Sequence, residues 1–293
     1  MKAFRVLGIL AALLAATIGL VVQASAQSDT VSGAGPQHID FERGHQKSGG
    51  GSSPLVIWHN GTIMPTANVY AIFWGASWPG YTGDKISGMQ SFYSGFGGSK
   101  YAGTGDEYTG TNGSVTSTVS FGGTFIDGSS APHNPNTSAI LREVASVVPT
   151  SKLVSNGFYA VYGDVKGAGG FCAWHSFGTV NGVTIQVAWV PNLDGVSGCD
   201  PLDTSGLHSE GLAAIADSSA HELSEARTDP TNGGWYDNGG AEVGDKCNFI
   251  YQLPLVTLSN KSQWKIQSEW SNAAYNAGTG YPNSLGQNGC ISG

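Results

Sequence analysis

Residues 207–230 read Leu-His-Ser-Glu-Gly-Leu-Ala-Ala-Ile-Ala-Asp-Ser-Ser-Ala-His-Glu-Leu-Ser-Glu-Ala-Arg-Thr-Asp-Pro. Leu207 to Thr228 is expected to be one long helix, ending shortly before Pro230 because a residue that precedes proline is pushed out of the α region. On that helix His221 and Glu225 lie four residues apart and project side by side from one face. Glu222 is offset around the helix, as the Glu of His-Glu-x-x-His stands beside its two zinc ligands. The segment is that metalloprotease motif with a carboxylate in place of the second His. Zinc accepts His nitrogen and carboxylate oxygen at similar distances, so the exchange is chemically allowed. One turn back, Asp217 extends the same face. A polar stripe is what surface helices normally show. Here Leu212, Ala213, Ala214, Ile215, Ala216 and Ala220 make the helix apolar on more than one side, and buried carboxylates need partners. Arg227 is one candidate partner and a metal ion is the other.

The chain before and after this helix alternates strand and helix signals. Asn68-Val-Tyr-Ala-Ile-Phe-Trp-Gly75 is a buried strand by its dense β-branched and aromatic content. Asp84 to Phe96 has helical spacing, with Ile86, Met89, Phe92 and Tyr93 on one side. Val115 to Phe125 is a strand, and Asn136 to Val148 a helix capped by Asn136 or Thr137. Phe158–Tyr162 and Val183–Val190 are central strands, and 249–258 and 264–270 late ones. These predict a single α/β domain over residues 55–293, with a mixed central sheet and packed helices. A strand, a loop and a metal-bearing helix is also the order found in zinc peptidases, which makes a zinc-peptidase-like architecture an expectation by analogy.

The N-terminal residues indicate export. Lys2 and Arg5 precede an apolar run from Val6 to Val22, and Ala24-Ser25-Ala26 supplies the small residues that a signal peptidase reads, so 1–26 is expected to be a signal peptide. The run is long enough for a membrane anchor, but its small-residue ending favours cleavage before Gln27, leaving no stable membrane insertion. Residues 27–54 are Gly-, Ser- and polar-rich, a flexible leader by composition. Cys172, Cys199, Cys247 and Cys290 are expected to form two disulfides in an oxidising compartment, neighbours pairing most simply among three connectivities. A formal net charge of −8 argues against nucleic acid as a partner. Low charge content with 44 glycines suits a loop-rich secreted protein.

Beyond the helix, Gly233 to Cys247 supplies Asp237, Glu242 and Asp245. Glu242 or Asp245 would serve as third metal ligand beside His221 and Glu225, leaving one open position for water with Glu222 as general base. One His with two carboxylates is a harder ligand set than two His with one, so calcium or manganese competes with zinc. Asp229, Asn232, Asp237, Asn238, Glu242 and Asp245 also form an oxygen-rich run suited to structural calcium, though without the spacing of an EF-hand loop. Ser218 and Ser219 lie near His221, but no Gly-x-Ser-x-Gly elbow accompanies them. His175 reads as a packed or loop histidine and His208 as a helix-start residue. Trp74, Trp78 and Tyr81 are either core or an aromatic platform for sugars.

Three pieces of the chain resemble the phosphate-induced protein family, whose plant members are called Exordium. They are Asn68–Gly75 followed by Trp78, Gly170-Phe-Cys-Ala-Trp-His175, and the stretch from His221 through Thr228-Asp229-Pro230 to Gly234-Trp235-Tyr236. They lie in the family's order and span most of the chain from Leu55 onward. The resemblance implies secretion to the cell wall or apoplast, a link to growth control and no settled enzymatic activity. The compact signal peptide suits a bacterial-type relative. The plant pattern lacks the His-Glu-x-x-Glu residues in the matching helix, so the plant role need not transfer and the fold does not depend on a metal there. Two functions are expected from these readings. One is a metal-dependent, peptidase-like hydrolase that uses Glu222 and a divalent metal, zinc first and calcium as alternative, on a peptide. The other is a non-catalytic extracellular protein that binds cell-wall polysaccharide and carries a structural metal or acidic cluster.

Overall fold

The computed structural model describes residues 29–45, 54–252 and 255–293, and the expected signal peptide lies outside the described residues. The main strands in chain order are β1 (Val31–Ser32), β2 (His38–Phe41), β3 (Ala67–Trp74), β4 (Val119–Asp127), β5 (Gly157–Gly163), β6 (Phe171–Val180) and β7 (Val183–Val190). They form one seven-stranded sheet in the order β1-β6-β7-β5-β3-β4, with β2 also paired to β6. Pairings β3 with β4, β3 with β5 and β5 with β7 are parallel, while β1, β2 and β7 all run antiparallel to β6. The sheet is therefore mixed, as expected.

The helices are α1 (Lys85–Phe96), α2 (Thr137–Val147), α3 (Glu210–Thr228) and α4 (Asn272–Ala277). Side chains alternate across a strand, so β3 sends Val69, Ala71 and Phe73 into one core with Met89, Phe92, Leu212, Ile215 and Leu223 of α1 and α3. Its Tyr70 and Ile72 enter a second core with Ile140, Leu141 and Val144 of α2. The result is three layers, helix on sheet on helix.

Helix α3 begins at Glu210, three residues after the expected Leu207, because Ser209 caps it by accepting the Leu212 amide at 3.2 Å. Every residue from Gly211 to Thr228 is buried. Asn136 caps α2 as expected, accepting from Ala139 N at 2.9 Å. The disulfides join Cys172 to Cys199 and Cys247 to Cys290. Among the described residues no helix is long and apolar enough to cross a membrane.

Three segments differ from the sequence expectation. Residues 29–45, assigned to a flexible leader, supply β1 and β2 and cover the β6 edge. Composition missed them because four residues of alternation, His-Ile-Asp-Phe, are too few to stand out. The expected late strands shrink to Val256–Thr257, Gln263–Trp264 and Glu269–Trp270. Positive φ at Phe249 and Lys261 turns the chain and interrupts longer extended runs. Strand β6 was not expected at all. Its hairpin to β7 turns on Asn181 (φ 50°) and Gly182 (φ 82°), the pairing that a two-residue type I′ turn requires.

Candidate metal centre

Four segments meet at the face of the sheet covered by α3. Helix α3 presents His221, Glu222 and Glu225 from successive positions of its buried side. Strand β6 presents His175, opposite His38 of β2 in register, and the two imidazoles stack with centroids 4.8 Å apart. Two residues along β2, on the same face, Asp40 is buried and lies 3.8 Å from His221 Nδ1. The loop after α3 then returns across the helix with Glu242, Gly244 and Asp245. Gly244 is required for that passage. A Cβ there would stand 2.9 Å from His221 Cγ and Nδ1 and 3.0 Å from Glu225 Oε1. The close approach lets the Asp245 amide donate to Glu225 Oε1 at 3.0 Å. Cys247, bonded to Cys290, anchors the loop just beyond.

Three groups of donor atoms result, the third sharing a residue with each of the other two. In the first, His221 Nε2 lies 3.1 Å from Glu225 Oε1 and 3.9 Å from Asp245 Oδ1. Gln267 holds the other edge of the ring, with Nε2 2.8 Å from His221 Nδ1 and donating to Gly244 O at 3.2 Å. In the second, His38 Nδ1 lies 2.6 Å and His175 Nε2 3.9 Å from Glu242 Oε2. Between them, His175 Nδ1 is hydrogen-bonded to Glu222 Oε2 at 2.9 Å and stands 3.6 Å from Glu225 Oε2. His/carboxylate groupings of this kind could hold a metal ion.

The centre is deeply buried, and solvent reaches it at His38 and Asp245, whose side chains are 20% and 27% exposed. Burial pushes Glu222 and Glu242 well above the usual carboxylate range, and the neighbouring Glu225 charge adds to this in both. The same desolvation raises Asp245 to about 7. For His221, burial opposes a charge, but Glu225 and Asp40 outweigh it and hold its pKa well above the ordinary value. Burial likewise works against ionised Glu225, and the His221 charge overrides it to leave Glu225 below its usual range. His175 is pushed down to about 3, first by burial and then by the His38 charge, so it is neutral at ordinary pH.

Several buried atoms aimed into this space have no hydrogen-bond partner: His175 Nε2, His221 Nε2, Glu222 Oε1 and both oxygens of Glu242. Leaving such groups unpaired is costly. A bound cation would satisfy those donors turned toward it, so the donor set fits a divalent metal.

Other residues named from sequence have structural partners. Arg227 does not serve the motif face, because its Nη2 donates to the carbonyls of Ala102 at 2.9 Å and Thr116 at 2.7 Å. Asp217 accepts from Gln267 N at 2.7 Å and Tyr251 OH at 2.6 Å. In the oxygen-rich run, Asp229 Oδ1 accepts from the Gly233 and Gly234 amides, and Asp237 Oδ1 from those of Gly239 and Ala241. Those oxygens hold turns together. Ser219 Oγ donates to Ile215 O at 2.5 Å. His208 stacks on Trp264. Trp78 is buried with Nε1 on the Tyr162 carbonyl, and Trp74 packs edge-on against Trp189.

Sequence reasoning missed His175 and His38. The Asn181-Gly182 pair between two β-rich runs is a strong hairpin signal and would have placed His175 on a strand. No comparable signal marks His38. Comparison with protein-family models, curated proteins and solved structures finds no match.

Proposed function

We propose that this chain is an exported, Exordium-like, metal-dependent hydrolase whose cation is held by His221, Glu225 and Asp245 and whose target is a peptide bond. The observation that supports it is the charge imbalance of the centre. Asp40, Glu222, Glu225, Glu242 and Asp245 converge on a space where the nearby cationic groups are imidazoles, since Arg227 is directed elsewhere. Burial and mutual repulsion drive Glu222, Glu242 and Asp245 to hold protons in the absence of a cation. A divalent cation is the simplest compensation, and its ligands must give up their protons to take it, as His221 Nε2 would.

When bound, the ion would supply Lewis-acid polarisation of a carbonyl and acidify an adjacent water. The chain's own residues do the rest. Glu222 Oε2 stays on His175 Nδ1, which fixes the carboxylate plane, while Oε1 is free of other partners and is the atom left to accept a proton. Asp245 and His38 form the solvent-facing rim through which substrate would enter. The proposed ligand set keeps one imidazole and two carboxylates, so zinc is the expected ion with calcium or manganese as competitors. The two disulfides fit an oxidising compartment.

The test is hydrolysis of a quenched, unstructured protein substrate by the purified protein. Chelation is expected to abolish cleavage and zinc to restore it. No cleavage of any peptide by zinc-loaded protein would sink the hydrolase reading.

A further inference from the structure

We infer that the centre holds two divalent cations, the second taken by His38, His175 and Glu242. This rests on the reading of the first site as a metal site. The two sets share no residue: His221, Glu225 and Asp245 form one and His38, His175 and Glu242 the other, while a grouping of His175, Glu222 and Glu225 spans them. His175 cannot serve the first group through Nδ1, because Nδ1 is hydrogen-bonded to Glu222 Oε2.

The second group has the hallmarks of a built site. Its members come from two strands and a loop, and the β2–β6 register sets His38 against His175. In each imidazole the nitrogen turned away from Glu242 is already engaged. His38 Nε2 is engaged with Asn232 Oδ1 and His175 Nδ1 with Glu222 Oε2. Each ring thereby turns its other nitrogen toward Glu242, the arrangement that orients metal-bound histidines. His175 Nε2 and both Glu242 oxygens are buried without a hydrogen-bond partner, although Glu242 Oε2 is 2.6 Å from His38 Nδ1. Two imidazole nitrogens and a carboxylate are the His₂Glu set of catalytic zinc sites. The donor separations of 2.6 and 3.9 Å bracket the about 3.4 Å expected around a tetrahedral ion with ~2.1 Å bonds. Glu225 lies between the groups, with Oε1 toward His221 and Oε2 toward His175.

The experiment is isothermal titration of metal-free protein with zinc, with elemental analysis after dialysis. It compares wild type, His38→Ala and the His221→Ala/Glu225→Ala double variant, with circular dichroism to confirm folding. His38 is the least buried ligand of the second set, so its replacement is the mildest there. Two zinc per chain in the wild type and one in each variant is the expected result. One zinc per chain in the wild type, or two that survive His38→Ala, would overturn the two-ion inference while leaving a metal site. No zinc at all would overturn the first reading with it.

Discussion

Nδ1 of His175, midway along strand β6, lies within hydrogen-bond distance of Oε2 of Glu222 on the helix above it, at 2.9 Å. The bond joins a residue named in advance as general base to one that sequence reasoning passed over. It constrains Glu222 to one orientation and leaves only Oε1 for chemistry. Replacing Glu222 by Gln preserves an acceptor for His175 and removes the proton acceptor. The Glu222→Gln variant is expected to keep its fold and its zinc while losing ~10²–10⁴-fold in hydrolysis. Activity within tenfold of wild type would exclude Glu222 as the base.

Gly244 crosses the His221–Glu225 pair where a methyl group has no room. Overpacking of this kind costs typically ~1–3 kcal/mol. Gly244→Ala is expected to lower the urea midpoint and weaken zinc affinity together, as seen by denaturant titration and competition with a chromophoric chelator. A variant unchanged in both would show that the loop does not press on the centre.

The bridge Cys247–Cys290 closes a separation of 43 residues and anchors the loop that carries Glu242 and Asp245. Chain-entropy arguments assign such a cross-link about 4 kcal/mol. The Cys247→Ala/Cys290→Ala variant should unfold at markedly lower urea and release zinc faster to a chelator. Zinc release at the wild-type rate would detach the loop's anchoring from the site.

Far from the centre, Glu143 of α2 is raised to about 8, by burial first and then by the Asp127 charge. The folded state therefore binds more protons than the unfolded chain between 4.5 and about 8. Stability from this group is full below 4.5 and is lost as pH rises through about 8. Glu143→Gln removes that dependence. The variant is expected to match wild type at about pH 4 and exceed it in unfolding midpoint at about pH 9. A difference that is the same at both values would contradict a protonated Glu143.

Much of the architecture was legible because it rests on local signals. The apolar run at Asn68–Gly75, the spacing of Met89, Phe92 and Tyr93, and the Asn136 cap each name an element without knowledge of the rest. The pair His221 and Glu225 was legible for the same reason, since a helix fixes the spacing of its own residues. Glu242 and Asp245 were found as loop carboxylates, but their meeting with the helix depends on Gly244, whose close approach only the fold reveals. His38 and His175 are 137 positions apart in sequence. They meet through strand register, which is a long-range property, and the low complexity around His38 concealed the strand it belongs to. Arg227 shows the opposite failure, in which residue type suggested a role that burial and backbone carbonyls had already assigned elsewhere, whereas Trp78 takes the core place that was one of its two readings.

The central claim is that the buried carboxylate and imidazole centre is a metal site. Elemental analysis of the purified protein beside the His221→Ala/Glu225→Ala variant tests it most directly. Near-stoichiometric or greater zinc is expected in the wild type and less in the variant. Absence of any divalent metal from the wild type, even after reloading with zinc, manganese or calcium, would contradict it.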